Sequence, residues 1–157
     1  MRTTSALQTK KIAQTLGEEI LASRKGILTV VALCGELGAG KTTFVKGLAK
    51  SLGIKVTITS PTFILINKYQ IPNTRYKILN TFYHIDPYRL KDTEDILPEL
   101  KELLAEKNAV IAIEWAERLK NLLPIETIWT ELKHRGENKR ELRIMNYERG
   151  IKKMSKL

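Results

Sequence analysis

Ile12, Leu16 and Ile20 recur at four-residue spacing with Ala13 and Leu21 beside them, which predicts a surface helix with one buried stripe that Gly26 closes. Ile27-Leu28-Thr29-Val30-Val31-Ala32-Leu33 is β-branched and nearly all apolar, as a central parallel strand covered on both faces would be. A second helical stripe, Phe44, Val45, Leu48, Ala49 and Leu52, stops at Gly53. Val56 and Ile58 predict a short strand, Phe63 to Tyr69 another and Tyr76 to Ile85 a third, with Pro72-Asn73 turning between the last two. Strands so closely spaced are expected to be antiparallel. Helical spacing returns from Asp92 to Leu104 at Ile96, Leu97, Leu100, Leu103 and Leu104, followed by the buried-strand run Ala109-Val110-Ile111-Ala112-Ile113. Ile128, Thr130 and Leu132 alternate, and so do Leu142 and Ile144 beyond the loop from His134 to Asn138, which predicts a hairpin. The expected fold class is α/β, a mixed parallel and antiparallel central sheet flanked by helices.

The 157 residues suit one domain, and 43% hydrophobic with 28% charged residues is the balance of a chain that buries a core. No apolar run reaches the roughly 18 residues of a membrane span. Met1-Arg2-Thr3-Thr4 carries no apolar signal core, so a cytoplasmic location is expected. Cys34 is the only cysteine, which excludes an internal disulfide and any cysteine-built zinc or iron–sulfur site. A net charge of +10 favours anionic partners. From Glu131 to Leu157 stand 9 basic residues against 4 acidic ones, so half of the excess sits at that end. A basic tail at 147–157 is expected beyond a domain of residues 1–146.

Gly35-Glu36-Leu37-Gly38-Ala39-Gly40-Lys41-Thr42 matches the phosphate-loop pattern and lies between a predicted strand and a predicted helix, the context the pattern requires. Glycines let the backbone turn tightly and point its N–H groups inward, so that a phosphate can rest at the helix N-terminus. Glu36, Leu37, Gly38, Ala39, Gly40, Lys41, Thr42 and Thr43 are therefore the expected nucleotide-binding segment, with Lys41 on the β- and γ-phosphates and the Thr42 hydroxyl on Mg²⁺. The fold is then a single P-loop NTPase-like domain.

Such a site also needs a carboxylate at the end of a neighbouring strand, and Glu114 follows the run that ends at Ile113. Buried there, it is costly unless a cation or hydrogen-bond donors meet it; the lesser alternative is a strand end that emerges into water. Trp115 reads as a core residue. If the strand ending at Ile85 continues to Asp86, His84 and Asp86 share one face, and Pro87 keeps Asp86 out of helical geometry. Taken singly, His84 would be a hydrogen-bonded packing residue and Asp86 an ordinary turn residue. Ser60-Pro61-Thr62-Phe63 reads as a turn, or as a switch loop that follows the γ-phosphate.

These segments resemble the TsaE family, also called YjeE, of small bacterial phosphate-loop ATPases. The likeness runs from about Thr9 to Ile144 through Gly35 to Thr43, Ser60 to Phe63, His84 to Leu90 and Ile113-Glu114-Trp115-Ala116-Glu117-Arg118. Glu36 stands where the family often has aspartate and Pro87 where it usually has an aliphatic residue. The resemblance implies an ATPase needed to form N6-threonylcarbamoyl-adenosine beside the anticodon of tRNAs that read codons starting with A. It also implies docking on a TsaB–TsaD heterodimer, in which TsaD carries the transfer chemistry. Lys41, Asp86 and Glu114 would then be catalytic, Thr42, Asp86 and Glu114 would bind the metal, Thr62 would sit in the switch, and Trp115 would lie against the nucleotide. ATP and Mg²⁺ are the implied ligands, and tRNA is met through the complex, with direct contact by the basic tail as an added expectation. Slow hydrolysis by the lone chain is expected, with Arg89 or Arg118 as a finger only if a partner organises it. Alternatives are a nucleotide-gated binding module, a small kinase, or a GTPase, although Asn67-Lys68-Tyr69-Gln70 lacks the aspartate that reads guanine.

Overall fold

The computed structural model describes residues 1–23, 26–61, 64–72 and 79–145. Within them the chain forms β1 (Arg2–Thr3), α1 (Ala6–Ala22), β2 (Thr29–Cys34), α2 (Lys41–Ser51), β3 (Ile66–Gln70), β4 (Thr81–Ile85), α3 (Leu97–Leu104), β5 (Ala109–Glu114), β6 (Ile128–His134) and β7 (Arg140–Met145). Short 3-10 helices occupy Pro87–Arg89, Thr93–Ile96 and Ala116–Leu122. One seven-stranded sheet has the order β1-β7-β6-β2-β5-β4-β3. β2 pairs in parallel with β5 and β6, and β4 with β5, while β3–β4, β6–β7 and β1–β7 are antiparallel. The mixed sheet expected from the sequence is therefore present.

Alternation along the central strands divides the core in two. Val31 and Leu33 of β2, Phe82 of β4 and Val110 and Ala112 of β5 pack toward α1 and α2, with Leu16, Phe44, Val45 and Leu48. Val30, Ala32, Tyr83, Ile85, Ile111 and Ile113 face the other way, onto Ile96, Leu100, Leu103 and Leu119. Every residue of β4 and β5 is buried, as strands covered on both faces must be.

α1 starts where the Ser5 side chain accepts from the Gln8 N–H and supplies one of the partners that the first turn lacks. It crosses α2 closely at Gly47, where an added Cβ would stand 2.5 Å from the Lys10 carbonyl oxygen and 2.8 Å from the Ala13 Cβ. Alanine ordinarily stabilises a helix interior by about 1 kcal/mol relative to glycine. Here the backbone clash outweighs that gain. Gly47→Ala is expected to lose about 1 to 3 kcal/mol, read as a lower midpoint in denaturant unfolding; a rise in the midpoint would contradict this crossing.

Four local expectations change. No strand forms at 56–58: Ile58 is 4% exposed and Val56 61%, so one loop residue anchors in the core and the other stays in water. β3 begins at Ile66, and β4, among the described residues, at Thr81; Thr62, Phe63 and 73–78, with the turn and the strand start placed there, lie outside the described residues. The helix expected from Asp92 opens instead as the 3-10 turn Thr93–Ile96, capped by the Asp92 side chain, and becomes α3 at Leu97. Pro98 falls in the first turn of α3, where a missing N–H costs nothing. β1 had no signal. The expected basic tail, 147–157, also lies outside the described residues. Among the described residues no helix is long and apolar enough to cross a membrane.

Candidate functional site

β2 delivers the chain into the glycine loop at the middle of the sheet, and the loop returns as the first turn of α2. Gly35 has φ 142° and a side chain there would strike the Leu132 carbonyl at 2.2 Å, so both backbone and space require glycine. Gly40, at φ 101°, is the left-handed residue from which α2 springs. Lys41 opens the helix and is 4% exposed; its Nζ donates to the carbonyls of Gly35 at 2.5 Å and Glu36 at 3.0 Å. The same ammonium lies 3.4 Å from the centroid of the Trp115 ring. Burial pushes the Lys41 pKa below its ordinary value, against the pull of Glu114, Glu117 and Asp86.

Glu114 ends β5 on the face that carries Val110 and Ala112, which turns its carboxylate toward α2. It is 3% exposed, so the alternative of a solvated strand end does not hold. Its oxygens accept from the Thr42 hydroxyl at 2.8 and 3.0 Å, and Oε1 lies 2.9 Å from His84 Nε2. His84, wholly buried on the adjacent strand, is a hydrogen-bonded packing residue whose partner is Glu114. Asp86 continues β4 in extended geometry with φ −134°, as the sequence suggested. Its Oδ2 accepts from the Ser60 hydroxyl at 2.5 Å and its Oδ1 from the Tyr88 N–H at 3.1 Å. Trp115 is a left-handed residue at φ 53°, a conformation that costs a non-glycine residue about 1 to 3 kcal/mol. That backbone puts its ring on Lys41 and on Tyr88, the two rings 4.7 Å apart.

Hydroxyl and carboxylate oxygens are the donors that Mg²⁺ selects, and this ion is usually held by one or two carboxylates with phosphate and water completing its shell. Thr42 and Glu114 fit that use. Among the described residues no group of three or more His, Cys, Asp or Glu side chains could hold a metal ion.

Strand, glycine loop, buried lysine and hydroxyl–carboxylate pair are the parts of a P-loop nucleotide site. The profile of the family described as threonylcarbamoyl adenosine biosynthesis protein TsaE matches residues 3–142. The chain belongs to the TsaE family. The tRNA threonylcarbamoyladenosine biosynthesis protein TsaE of Aquifex aeolicus is 39% identical over 140 residues, 88% of this chain and 92% of the relative. Those of Treponema pallidum and Bacillus subtilis are 41% and 36% identical, covering 74% and 90% of this chain and 81% of each relative. The crystal structure of Bacillus subtilis YdiB superposes with a TM-score of 0.66 at 30% identity, over 92% of this chain and 82% of the other. Membership makes the chain a P-loop protein of tRNA modification.

Both departures from the family pattern find a place. The Glu36 Oε1 accepts from the His134 N–H at 3.3 Å, and Pro87 is buried at the start of its 3-10 turn. Arg118 is not poised as a finger: its guanidinium donates to the carbonyls of Pro87, Tyr88 and Leu90 and so holds that turn closed. Asn67-Lys68-Tyr69-Gln70 lies within edge strand β3, not in a base-reading loop. Thr62 falls outside the described residues. Sequence reasoning missed Ser60 as a partner of Asp86, and it missed Arg140, whose guanidinium donates to loop carbonyls from the far hairpin.

Cys34 sits directly before the loop, and its thiol pKa is pushed up from 9.0 to about 12 by burial first and the Glu117 carboxylate second. At pH 8 only about one thiol in 10⁴ is ionised, and the thiolate is the reactive form. Iodoacetamide at pH 8 is therefore expected to alkylate the native chain at least about 100-fold more slowly than the urea-unfolded chain. Equal rates by mass spectrometry would contradict that burial.

Proposed function

We propose that this chain binds and hydrolyses ATP with Mg²⁺, and that it serves with TsaB and TsaD in forming the threonylcarbamoyl group on the adenosine next to the anticodon. The observation that carries the proposal is the Thr42 hydroxyl bonded to the buried Glu114 carboxylate at the foot of the glycine loop, beside Lys41. In this reading the residues from Glu36 to Thr43 embrace the phosphates, Lys41 neutralises the β- and γ-oxygens, and Trp115 walls the site. Thr42, Asp86 and Glu114 hold the metal, which when bound supplies positive charge to the phosphate oxygens.

Hydrolysis then asks mainly for position. Water attacks the γ-phosphorus in line, the bond to the bridging oxygen breaks, and ADP and phosphate leave. Asp86, fixed by Ser60 and the Tyr88 N–H, or Glu114 would aim that water. His84 keeps Glu114 turned toward Thr42. The loop carrying Thr62 answers the γ-phosphate as a switch. Residues 1–146 are the ATPase domain, and the basic segment 147–157 offers contact to tRNA.

Arg118 is engaged in the 87–90 turn, so rate acceleration comes with partners. Steady-state hydrolysis should be slow for the chain alone and rise when TsaB–TsaD is added, and threonylcarbamoyl-adenosine should form on tRNA only with all components and ATP. A fast rate without partners would contradict the proposal, and so would modified tRNA in the absence of this chain.

A further inference from the structure

The β6–β7 hairpin reaches the phosphate loop from the side of the sheet opposite β5. β6 runs beside β2, whose end becomes the loop, and β7 turns back along β6 with Arg140 opposite His134. The Arg140 backbone is held on its other side too, where β1 pairs Thr3 with it. From this fixed root the guanidinium donates to the carbonyls of Ala39, through Nε at 3.1 Å, and Gly38, through Nη2 at 3.1 Å. Its remaining nitrogen is anchored on the hairpin itself, at the Lys139 carbonyl at 2.8 Å and, more loosely, that of Gly136 at 3.4 Å. A second link between the same segments is the His134 N–H on the Glu36 carboxylate.

A peptide is planar, so the carbonyl of one residue and the N–H of the next point opposite ways. Holding the Ala39 carbonyl from outside therefore sets the direction of the Gly40 N–H, while the Ala39 N–H is donated to the Glu36 carbonyl at 3.1 Å and the Arg140 bond to the Gly38 carbonyl braces that turn. The Ala39–Gly40 peptide adjoins a glycine at φ 101°, where the backbone turns over at little cost, so a hold from outside helps to fix its orientation. Arginine suits the task because its planar fork presents two donors in fixed geometry, which an ammonium cannot do. We propose that Arg140 is a positioning residue of the nucleotide site: acting through two loop carbonyls, it keeps the Gly40 N–H and the turn before it preformed for the β-phosphate. This rests on the nucleotide-site reading above.

The test is calorimetric titration of ADP with magnesium into the full-length chain and into Arg140→Ala, Arg140→Lys and Arg143→Ala. Arg143 lies on the same strand, is exposed, and controls for the loss of one positive charge. Preorganised charged hydrogen bonds of this kind predict an ADP Kd raised about tenfold or more in Arg140→Ala, an intermediate rise in Arg140→Lys, and less than about a twofold change in Arg143→Ala. Millimolar ethylguanidinium should restore part of the affinity of Arg140→Ala and leave the wild-type chain unaffected, a rescue that a general loss of packing would not allow. Unchanged affinity in Arg140→Ala overturns the proposal, as does a loss that Arg143→Ala shares or that ethylguanidinium does not reverse. If Arg140→Ala does not fold, folded Arg140→Lys decides: a wild-type Kd there overturns the assignment. Failure of the wild-type chain to bind ADP would instead sink the nucleotide-site reading beneath it.

Discussion

Lys41→Ala is expected to cut ATP hydrolysis by at least about 10² to 10³-fold, the size of effect seen when one preorganised charge-stabilising donor is removed. Stability should move the other way or not at all. Burial already depresses the Lys41 pKa despite three nearby carboxylates, so the native chain carries this charge against its desolvation cost. Lys41→Met, which keeps the apolar stem, should melt no lower than the wild type while losing hydrolysis, the pattern of a residue retained for function. The depressed pKa also fixes the alkaline limb. Phosphate needs the ammonium form, so kcat/KM should fall as pH rises through a value below the ordinary 10.5 of lysine. A Lys41→Ala chain with wild-type turnover would end the assignment.

Glu114→Ala should lose both activity and stability, because the carboxylate serves two partners. Removing it leaves the wholly buried His84 and the Thr42 hydroxyl without their acceptor, at a cost of about 1 to 3 kcal/mol. Glu114→Gln separates the two effects. The amide oxygen still accepts from Thr42 or His84, so most stability should remain, while the loss of charge at the proposed metal site should lower hydrolysis by about 10²-fold or more and raise the magnesium concentration needed. Thermal melts and magnesium-dependent rates on the same samples check this. Equal melting and equal magnesium dependence in wild type and both variants would contradict the role given to Glu114.

Much of this site was legible in the sequence because its signals are short and local. The glycine loop is contiguous, its strand and helix flank it directly, and Glu114 follows an apolar run that can only be a buried strand. The same locality set the limits. Arg140 meets Gly38 across 102 positions and His84 meets Glu114 across 30, so neither contact leaves a spacing to read. Trp115 looked like core because burial and a left-handed backbone do not show in composition; its ring covers Lys41 only because φ is 53°. Arg118 stood in the sequence only as a finger that a partner would organise, and its bonds to three carbonyls of the 87–90 turn left no spacing to read. In the fold, alternation misled at Val56 and Ile58, where one buried side chain imitates a strand. β1 is only two residues long and exists because β7 offers it an edge.

The most direct test of the account is a titration of a non-hydrolysable ATP analogue into the folded full-length chain, with and without magnesium, followed by calorimetry. The arrangement of Lys41, Thr42 and Glu114 predicts saturable binding at one site per chain, tighter with magnesium and lost in Lys41→Ala. No heat and no saturation with well-folded protein in the presence of magnesium would contradict it.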